Sequence, residues 1–263
     1  MRIVIDLQGA QTVSRFRGIG RYTLNFTKAL ARNRGRHEIY LVLNGLFTES
    51  IEQIRFAFDR LLPQENIRVF SAPGPVKYID SVNSYRRDSA ELLREDFLES
   101  LNPDLIHISS FFEGYLDDAI ISLDKIDCST SVSITLFDLI PLVNSKQFLS
   151  DNPGYSSFYN SKLESILNAK ILLTISKHTR REVLDKLKIQ NDRVFNISTG
   201  INHDLFKEEV TEKSNNILCR LGIKKHYFFT AGSEEIHKNL KQLVKSFALL
   251  PQGLRLDLSC VIG

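Results

Sequence analysis

The sequence predicts an α/β chain built on doubly wound, parallel β-sheet, and three observations carry that expectation. Short apolar runs without polar alternation recur along it, as strands covered on both faces require. Most are followed by a stretch of helical length and periodicity before the next run begins, which is the strand–helix alternation of a parallel sheet. A length of 263 residues, with 43% hydrophobic and 25% charged side chains, suits one large or two modest globular domains.

The elements follow in order. RIVIDL (residues 2–7) is a buried strand; a long loop precedes a helix over residues 19–32, with Leu24, Ala29 and Leu30 among its apolar positions. EIYLVLN (38–44) is a strand, SIEQIRFAFDRLL (50–62) a helix, and IRVFSA (67–72) a strand closed by the breaker Pro-Gly-Pro at 73–75. SYRRDSAELLREDFLESL (84–101) reads as an amphipathic helix, PDLIHISS (103–110) and SVSITLFD (131–138) as strands, and GYSSFYNSKLESILNA (154–169) as a helix. AKILLTIS (169–176) is a strand, Ser176 is placed to cap the helix KHTRREVLDKL (177–187), and RVFNIST (193–199) is the last strand of this half. The expected organisation is a Rossmann-like domain over residues 1–200, a polar crossing over 201–225 broken by Asn, Gly and Lys, and a second such domain from 226. The run from 226 to 263 reads as strand, loop, helix, strand. Two strands fall short of an independently stable sheet, so this unit is expected to be the incomplete start of a domain.

Composition narrows the function. A net charge of +3 is too small to imply nucleic acid, and leaves room for mild attraction to phosphates or lipid head groups. Cys128, Cys219 and Cys260 lack metal or redox spacing and read as buried free thiols of a reducing cytosol. RIVIDL reads as a strand rather than a secretory leader, and no run reaches the ~20 apolar residues of a membrane span. The expected location is cytoplasmic, with peripheral contact at the inner membrane face.

Three segments could carry chemistry. In RFRGIGRY (15–22), Gly18 and Gly20 would let backbone approach a ligand at the carboxyl edge of the sheet, and Arg15, Arg17 and Arg21 add positive charge. The same glycines could simply serve loop geometry. Thr23 holds the place of the third glycine of a dinucleotide fingerprint, and the loop is too long for one, so a nicotinamide site does not fit. Asp138 falls at the carboxyl end of a strand, where it could accept substrate hydroxyls or cap the turn before Pro141. In TAGSEEIHKNL (230–240), Gly232 permits a tight exit from a strand, and Lys238 and Asn239 open a helix. A cation beside a helix N-terminus suits a diphosphate; a solvated basic helix start is the plain alternative.

Together these segments resemble the retaining nucleotide-sugar glycosyltransferases of the GT-B fold, the group-1 or family-four class, over nearly the whole chain. The closest likeness is to bacterial transferases of O-antigen and other surface polysaccharides, several of them mannosyltransferases. DLQGAQTVSRFRGIGRYTLNFTKAL resembles their first strand, glycine loop and helix. NPDLIHISS, LLTISKHTRREVL, NISTGINHDLF and YFFTAGSEEIHKNLKQLVKSFALLP resemble later motifs in the same order. The resemblance implies transfer of a hexose, mannose plausible among them, from a nucleotide diphosphate sugar to a glycan or lipid-linked acceptor. It also implies retained anomeric configuration, with no cofactor and no required metal. Lys238 matches the family lysine on the diphosphate, with Gly232, His237 and Asn239 around it. Gly18, Gly20 and Arg21 match the glycine loop, and Asp138 the acidic residue of the acceptor domain. Phe137 stands where many relatives carry His, His237 where they carry Arg, and the family's glutamate pair belongs beyond Gly263. The chain by itself is therefore expected to be weakly active or inactive. A nucleotide-sugar epimerase of the same architecture and a non-catalytic acceptor-binding fragment are the other readings. Glu91 and Glu99, though eight apart, read as a solvated helix face, and His107 as a structural strand-end residue. The charges of KHTRREVLDKLK read as helix surface, with a lipid-facing patch the alternative.

Overall fold

A computed structural model describes residues 1–127, 130–201, 212–223, 226–231 and 238–263. The chain divides into two compact units, Met1–Gly200 and Ile201–Gly263.

The first unit runs β1 (Arg2–Asp6), two 3-10 turns (Gln8–Ala10 and Val13–Phe16), α1 (Gly18–Arg32), β2 (Glu38–Asn44), α2 (Thr48–Phe58), β3 (Ile67–Phe70), α3 (Ser84–Ser100), β4 (Leu105–Ile108) and β5 (Ser131–Leu136). It continues through the short helices α4 (Ile140–Val143) and α5 (Ser145–Phe148) to α6 (Pro153–Ile166), β6 (Ile171–Thr174), α7 (Lys177–Lys186) and β7 (Val194–Asn196). The seven strands are all parallel, in the order β3-β2-β1-β4-β5-β6-β7. This is the Rossmann-like α/β sheet the alternation predicts, and its strand order reverses between β1 and β4, where such sheets open a crevice.

Strand periodicity divides the core in two. Ile5, Leu41 and Leu43 point to one face and pack with Ala31 of α1 and Ile54 and Phe58 of α2. Val4, Val42, Ile106, Ile108 and Ile134 point to the other and pack with Ala90 and Leu98 of α3, Leu163 and Ile166 of α6 and Val183 of α7. Ser176 caps α7 as expected, its hydroxyl accepting the Thr179 N–H at 3.0 Å. Lys177, His178, Arg181, Asp185 and Lys186 are exposed on α7, the solvated surface the charge pattern suggests.

Helix α3 corrects one expectation. Glu91 is buried and Glu99 half-buried, so the two glutamates are not a solvated face. The physical reason is the connection from β4 to β5, whose described residues form no helix and leave backbone polar groups in need of partners. Glu95 accepts the N–H groups of Lys125 and Ile126 at 2.8 and 3.1 Å, Glu91 pairs with Lys125 Nζ at 2.8 Å, and Glu99 accepts the Thr130 hydroxyl at 2.9 Å. Beside them, fully buried Arg94 donates through Nε to Asp6 Oδ2 at 2.6 Å and through Nη1 to the Ser122 carbonyl at 3.2 Å. Leu92 and Leu93 take the exposed side instead.

His107 is structural, as read. On β4 it is 4% exposed, with Nδ1 2.9 Å from Ser133 Oγ, Nε2 3.1 Å from Thr135 Oγ1, and its ring against Phe26 of α1. Burial pushes its imidazole down from 6.5 to about 4. The unfolded chain therefore binds a proton below about pH 6.5 that the folded protein refuses until about pH 4, and stability falls with pH across that window. At ~1.4 kcal/mol per unit, the loss across the window from 6.5 to about 4 is on the order of 3 kcal/mol. His107→Phe is expected to remove this acid sensitivity. Urea unfolding at neutral and at mildly acid pH checks it, and equal pH slopes for variant and wild type would contradict it.

In the second unit, β8 (His226–Thr230) and β9 (Leu258–Ile262) pair in parallel, with α9 (Leu240–Ala248) and α10 (Gln252–Asp257) between them and α8 (Glu212–Arg220) before. The segment read as a polar crossing thus contains α8. No breaker falls inside EKSNNILCR, and Gly222, read as an interruption, is the helix stop: at φ +64° it donates to the Cys219 carbonyl while Ile223 donates to that of Leu218. Cys219 is exposed and Cys260 half-buried, so neither is the fully buried thiol expected; Cys128 lies outside the described residues.

Candidate active site

At the carboxyl edge of β1 the chain turns through residues whose polarity would be costly to bury without partners. Buried Gln8 spans the gap between strands. Its Nε2 donates to both Asp6 carboxylate oxygens and to the Ile120 carbonyl, and its Oε1 accepts from Asn44 Nδ2 and the Ile120 N–H. Gln11 exchanges hydrogen bonds with the backbone of Asn44 and donates to Ser50. The loop is long because it is a structured platform, tied to β2 and to the segment after β4.

Glu113 makes the second tie. Its carboxylate accepts the hydroxyl of Thr12 at 3.0 Å and that of Ser110 at 2.9 Å, so it clamps the loop after β1 to the loop after β4 across the strand-order reversal. Burial pushes its carboxyl up, Asp117 adds to that, and the hydroxyls of Ser14, Ser110 and Thr12 pull it back.

Gly18 and Gly20 open α1 with different surroundings. A Cβ on Gly20 would meet only backbone, 2.3 Å from Arg15 Cα and 2.4 Å from the Ser14 carbonyl oxygen, so this glycine lets the helix pack on the preceding turn. Nothing lies within 4 Å of a Cβ on Gly18, so it is the open position at the helix start. Arg21 is exposed one turn on; Arg15 is held by Glu49 at 2.9 Å and by the Gln11 carbonyl.

Asp138 sits on the same edge, two residues past β5, and is exposed. Its Oδ1 accepts the Ile140 N–H at 3.0 Å, the local turn that was one of its two readings. The glycine helix and this corner adjoin: Tyr22, four residues after Gly18, meets Phe137 edge-on at 5.4 Å. Tyr155 and Tyr159 feel the Asp138 charge, which adds to the burial that raises both phenols. Tyr115 packs edge-on against Tyr155 at 5.1 Å, and Phe112 stacks on Tyr159 at 4.9 Å. An exposed carboxylate bordered by aromatic rings offers acceptors and flat apolar surface together, the chemistry a polyhydroxylated ring requires.

Sequence reading did not assign Thr12, Glu113, Tyr115 or Tyr155. Polar QGAQT directly after an apolar strand was a signal for the platform; Glu113 and Tyr115 lay in a segment with no periodicity to place them, and Tyr155 in the first turn of the helix expected over 154–169, with nothing to mark it as a site residue.

Lys238 and Asn239 belong to the second unit. Both are exposed and directly precede α9, and Asn239 adopts left-handed backbone at φ +54°. Gly232 and His237 lie outside the described residues. Among the described residues no three His, Cys, Asp or Glu side chains converge where a metal could sit, and no helix is long and apolar enough to cross a membrane.

Residues 16–205 match the model of Glycosyltransferase Family 4. Among curated proteins the chain is similar to the serotype-specific mannosyltransferase WbdA of Escherichia coli, 30% identical over 97% of this chain and 30% of that protein. It thus spans under a third of that relative's length. Among solved structures it is similar to Anabaena Alr3699/HepE in complex with UDP and glucose, with TM-score 0.60 and 15% identity over 100% of this chain and 60% of that one. A Listeria monocytogenes protein assigned as a UDP-N-acetylglucosamine 2-epimerase shares the fold as well, with TM-score 0.54 and 12% identity over 99% of this chain and 61% of that one.

Proposed function

This chain belongs to glycosyltransferase family 4, and we propose that it moves a hexose, mannose in the first instance, from a nucleotide diphosphate sugar to a glycan or lipid-linked acceptor in surface polysaccharide synthesis. In this reading the anomeric configuration is retained, no metal is needed, and the work is done in the cytoplasm with peripheral contact at the inner membrane face.

The observation that carries the reading is the shared edge of the first unit. There the opened α1 helix, with Gly18 unobstructed, adjoins the Asp138 corner through Tyr22 and Phe137. Gly18 and the free N–H groups of the first turn of α1 would meet phosphate, Arg21 would add charge, and Asp138 would orient an acceptor hydroxyl. Gly20 acts one step back, holding that first turn on the Ser14–Arg15 backbone. Lys238, Asn239, Gly232 and His237 would hold the departing diphosphate, where a fixed cation stabilises charge that develops as the sugar leaves. The 30% identity to a mannosyltransferase supports the choice of sugar.

The test is incubation of the protein with a panel of nucleotide diphosphate hexoses and mannosyl oligosaccharide acceptors. Products are read by mass spectrometry and the new linkage by NMR. Slow addition of a single hexose with the donor's anomeric configuration is expected, since weak activity is what this chain by itself should show, and Lys238→Ala should lower that turnover at least ~10-fold, about 1.4 kcal/mol of barrier, with unchanged Tm. Conversion of the free nucleotide sugar to its epimer, with nothing added to the acceptor, would overturn the reading.

A further inference from the structure

Between α3, α6 and the segment after β4 lies a cavity of about 210 Å3, room for several waters at ~30 Å3 each. Its charged groups divide into partnered and unpartnered ones. Lys125 is 2.8 Å from Glu91 and 3.5 Å from Asp88, which accounts for all three. Glu113 is engaged by the hydroxyls of Thr12 and Ser110. Two cations remain.

Lys162 on α6 is buried; its Nζ donates to the Ile121 carbonyl and lies 5.2 Å from the Phe111 ring centroid and 5.5 Å from that of Phe158. An ammonium has three donors, and one is used. Arg87 on α3 stacks its guanidinium 4.4 Å over the Tyr78 ring, and its Nη1 is buried without a hydrogen-bond partner. Among the described residues neither cation has a carboxylate within 4.0 Å, the reach of an ion pair. Burying a cation without an anion is costly. Lys162 responds to that cost: burial pushes its ammonium down to about 8, Glu91 pulls it back, and Arg94, Lys125 and Arg87 add repulsion.

We propose that this cavity binds a small oxyanion, a phosphate or carboxylate group, gripped by the planar fork of Arg87 and the free ammonium donors of Lys162. A guanidinium is planar and presents its N–H groups in one plane, the geometry that takes two oxygens at once. An anion here would also push the Lys162 ammonium back up toward its ordinary value. The site is separate from the Asp138 corner and does not depend on the transferase reading. Tyr78 and Gly114, joined by a 3.0 Å backbone hydrogen bond, line it, so an occupant would brace the loops after β3 and β4.

Calorimetric titration of the whole chain with inorganic phosphate, and separately with glucuronate, at matched ionic strength and neutral pH tests the proposal. Saturable binding of at least one is expected, and the tighter of the two identifies the group. Arg87→Gln, at a half-exposed position that spares the core, should weaken Kd at least ~10-fold, and Lys162→Met similarly; if the latter does not fold, Arg87→Gln decides. The binding that Arg87→Gln weakens should persist in Lys238→Ala, which separates this cavity from the proposed diphosphate site. No saturable binding, binding unchanged in Arg87→Gln, or binding lost in Lys238→Ala would overturn it.

Discussion

Replacing Gly20 with alanine is expected to cost about 3 kcal/mol of stability and to abolish activity, whereas Gly18→Ala should fold as wild type. The difference is geometric. A Cβ on Gly20 would lie 2.3, 2.4 and 2.6 Å from Arg15 Cα, Ser14 O and Arg15 N. These are backbone atoms and cannot swing aside, so the start of α1 and the preceding 3-10 turn must part. That turn is tied through Thr12 to Glu113, and through Arg15 to Glu49, so the displacement would spread to the loop after β4 and to α2. A Cβ on Gly18 meets nothing within 4 Å, and its stability effect should stay within ~0.5 kcal/mol. If Gly18 approaches a donor phosphate, Gly18→Ala should raise KM or lower turnover at unchanged Tm. Urea unfolding and steady-state kinetics on the two variants separate packing from ligand approach. A Gly20→Ala protein as stable as wild type would show that the turn moves freely.

Arg94→Met is expected to destabilise the protein by about 3–5 kcal/mol, because it leaves the carboxylate of Asp6 buried without its cation. Both side chains are 0% exposed, and Arg94 Nη2 also lies 2.6 Å from Asp6 Oδ2, though out of line for a hydrogen bond. After the substitution only the Gln8 donors would face Asp6. The loss is a large part of the ~5–15 kcal/mol that folds a typical domain. The double variant Asp6→Asn/Arg94→Met should recover at least half of it, since a neutral amide still accepts from Gln8 and no charge is left buried. Chemical denaturation of the two single variants and the double closes the cycle. A cost below ~1 kcal/mol for Arg94→Met would mean that the pair does not hold the β4–β5 crossing in place.

Much of the first unit was legible because each strand announces itself locally. EIYLVLN is β2 residue for residue, and the helix expected over 19–32 begins one residue earlier, at Gly18. Burial on both faces demands continuous apolar runs, and such runs are visible without knowing their neighbours. The helix α3 was legible as an element and misread as a surface. Its buried stripe carries Glu91, Arg94 and Glu95 between Ala90 and Leu98, and polarity on a helix face signals solvent unless something else supplies partners. The partners here are backbone groups some thirty residues later in the chain, such as the Lys125 N–H on Glu95. Gly222 was read as a break for a similar reason: a glycine that ends a helix and one that prevents a helix look alike in isolation.

By itself, then, the sequence determined the alternation of strands and helices, the parallel sheet, and the family, because these rest on local periodicity and on motifs of contiguous residues. The tertiary structure decided what single residues do. It set Gly20 to packing and Gly18 to open space, made Glu113 a clamp between two loops, buried Arg94 against Asp6, and left Arg87 and Lys162 facing a cavity with no carboxylate within ion-pair reach of them among the described residues. Each of those roles depends on groups distant in sequence, and burial turns such contacts from optional into obligatory: a charge or hydroxyl removed from water must find its partner wherever the fold brings one.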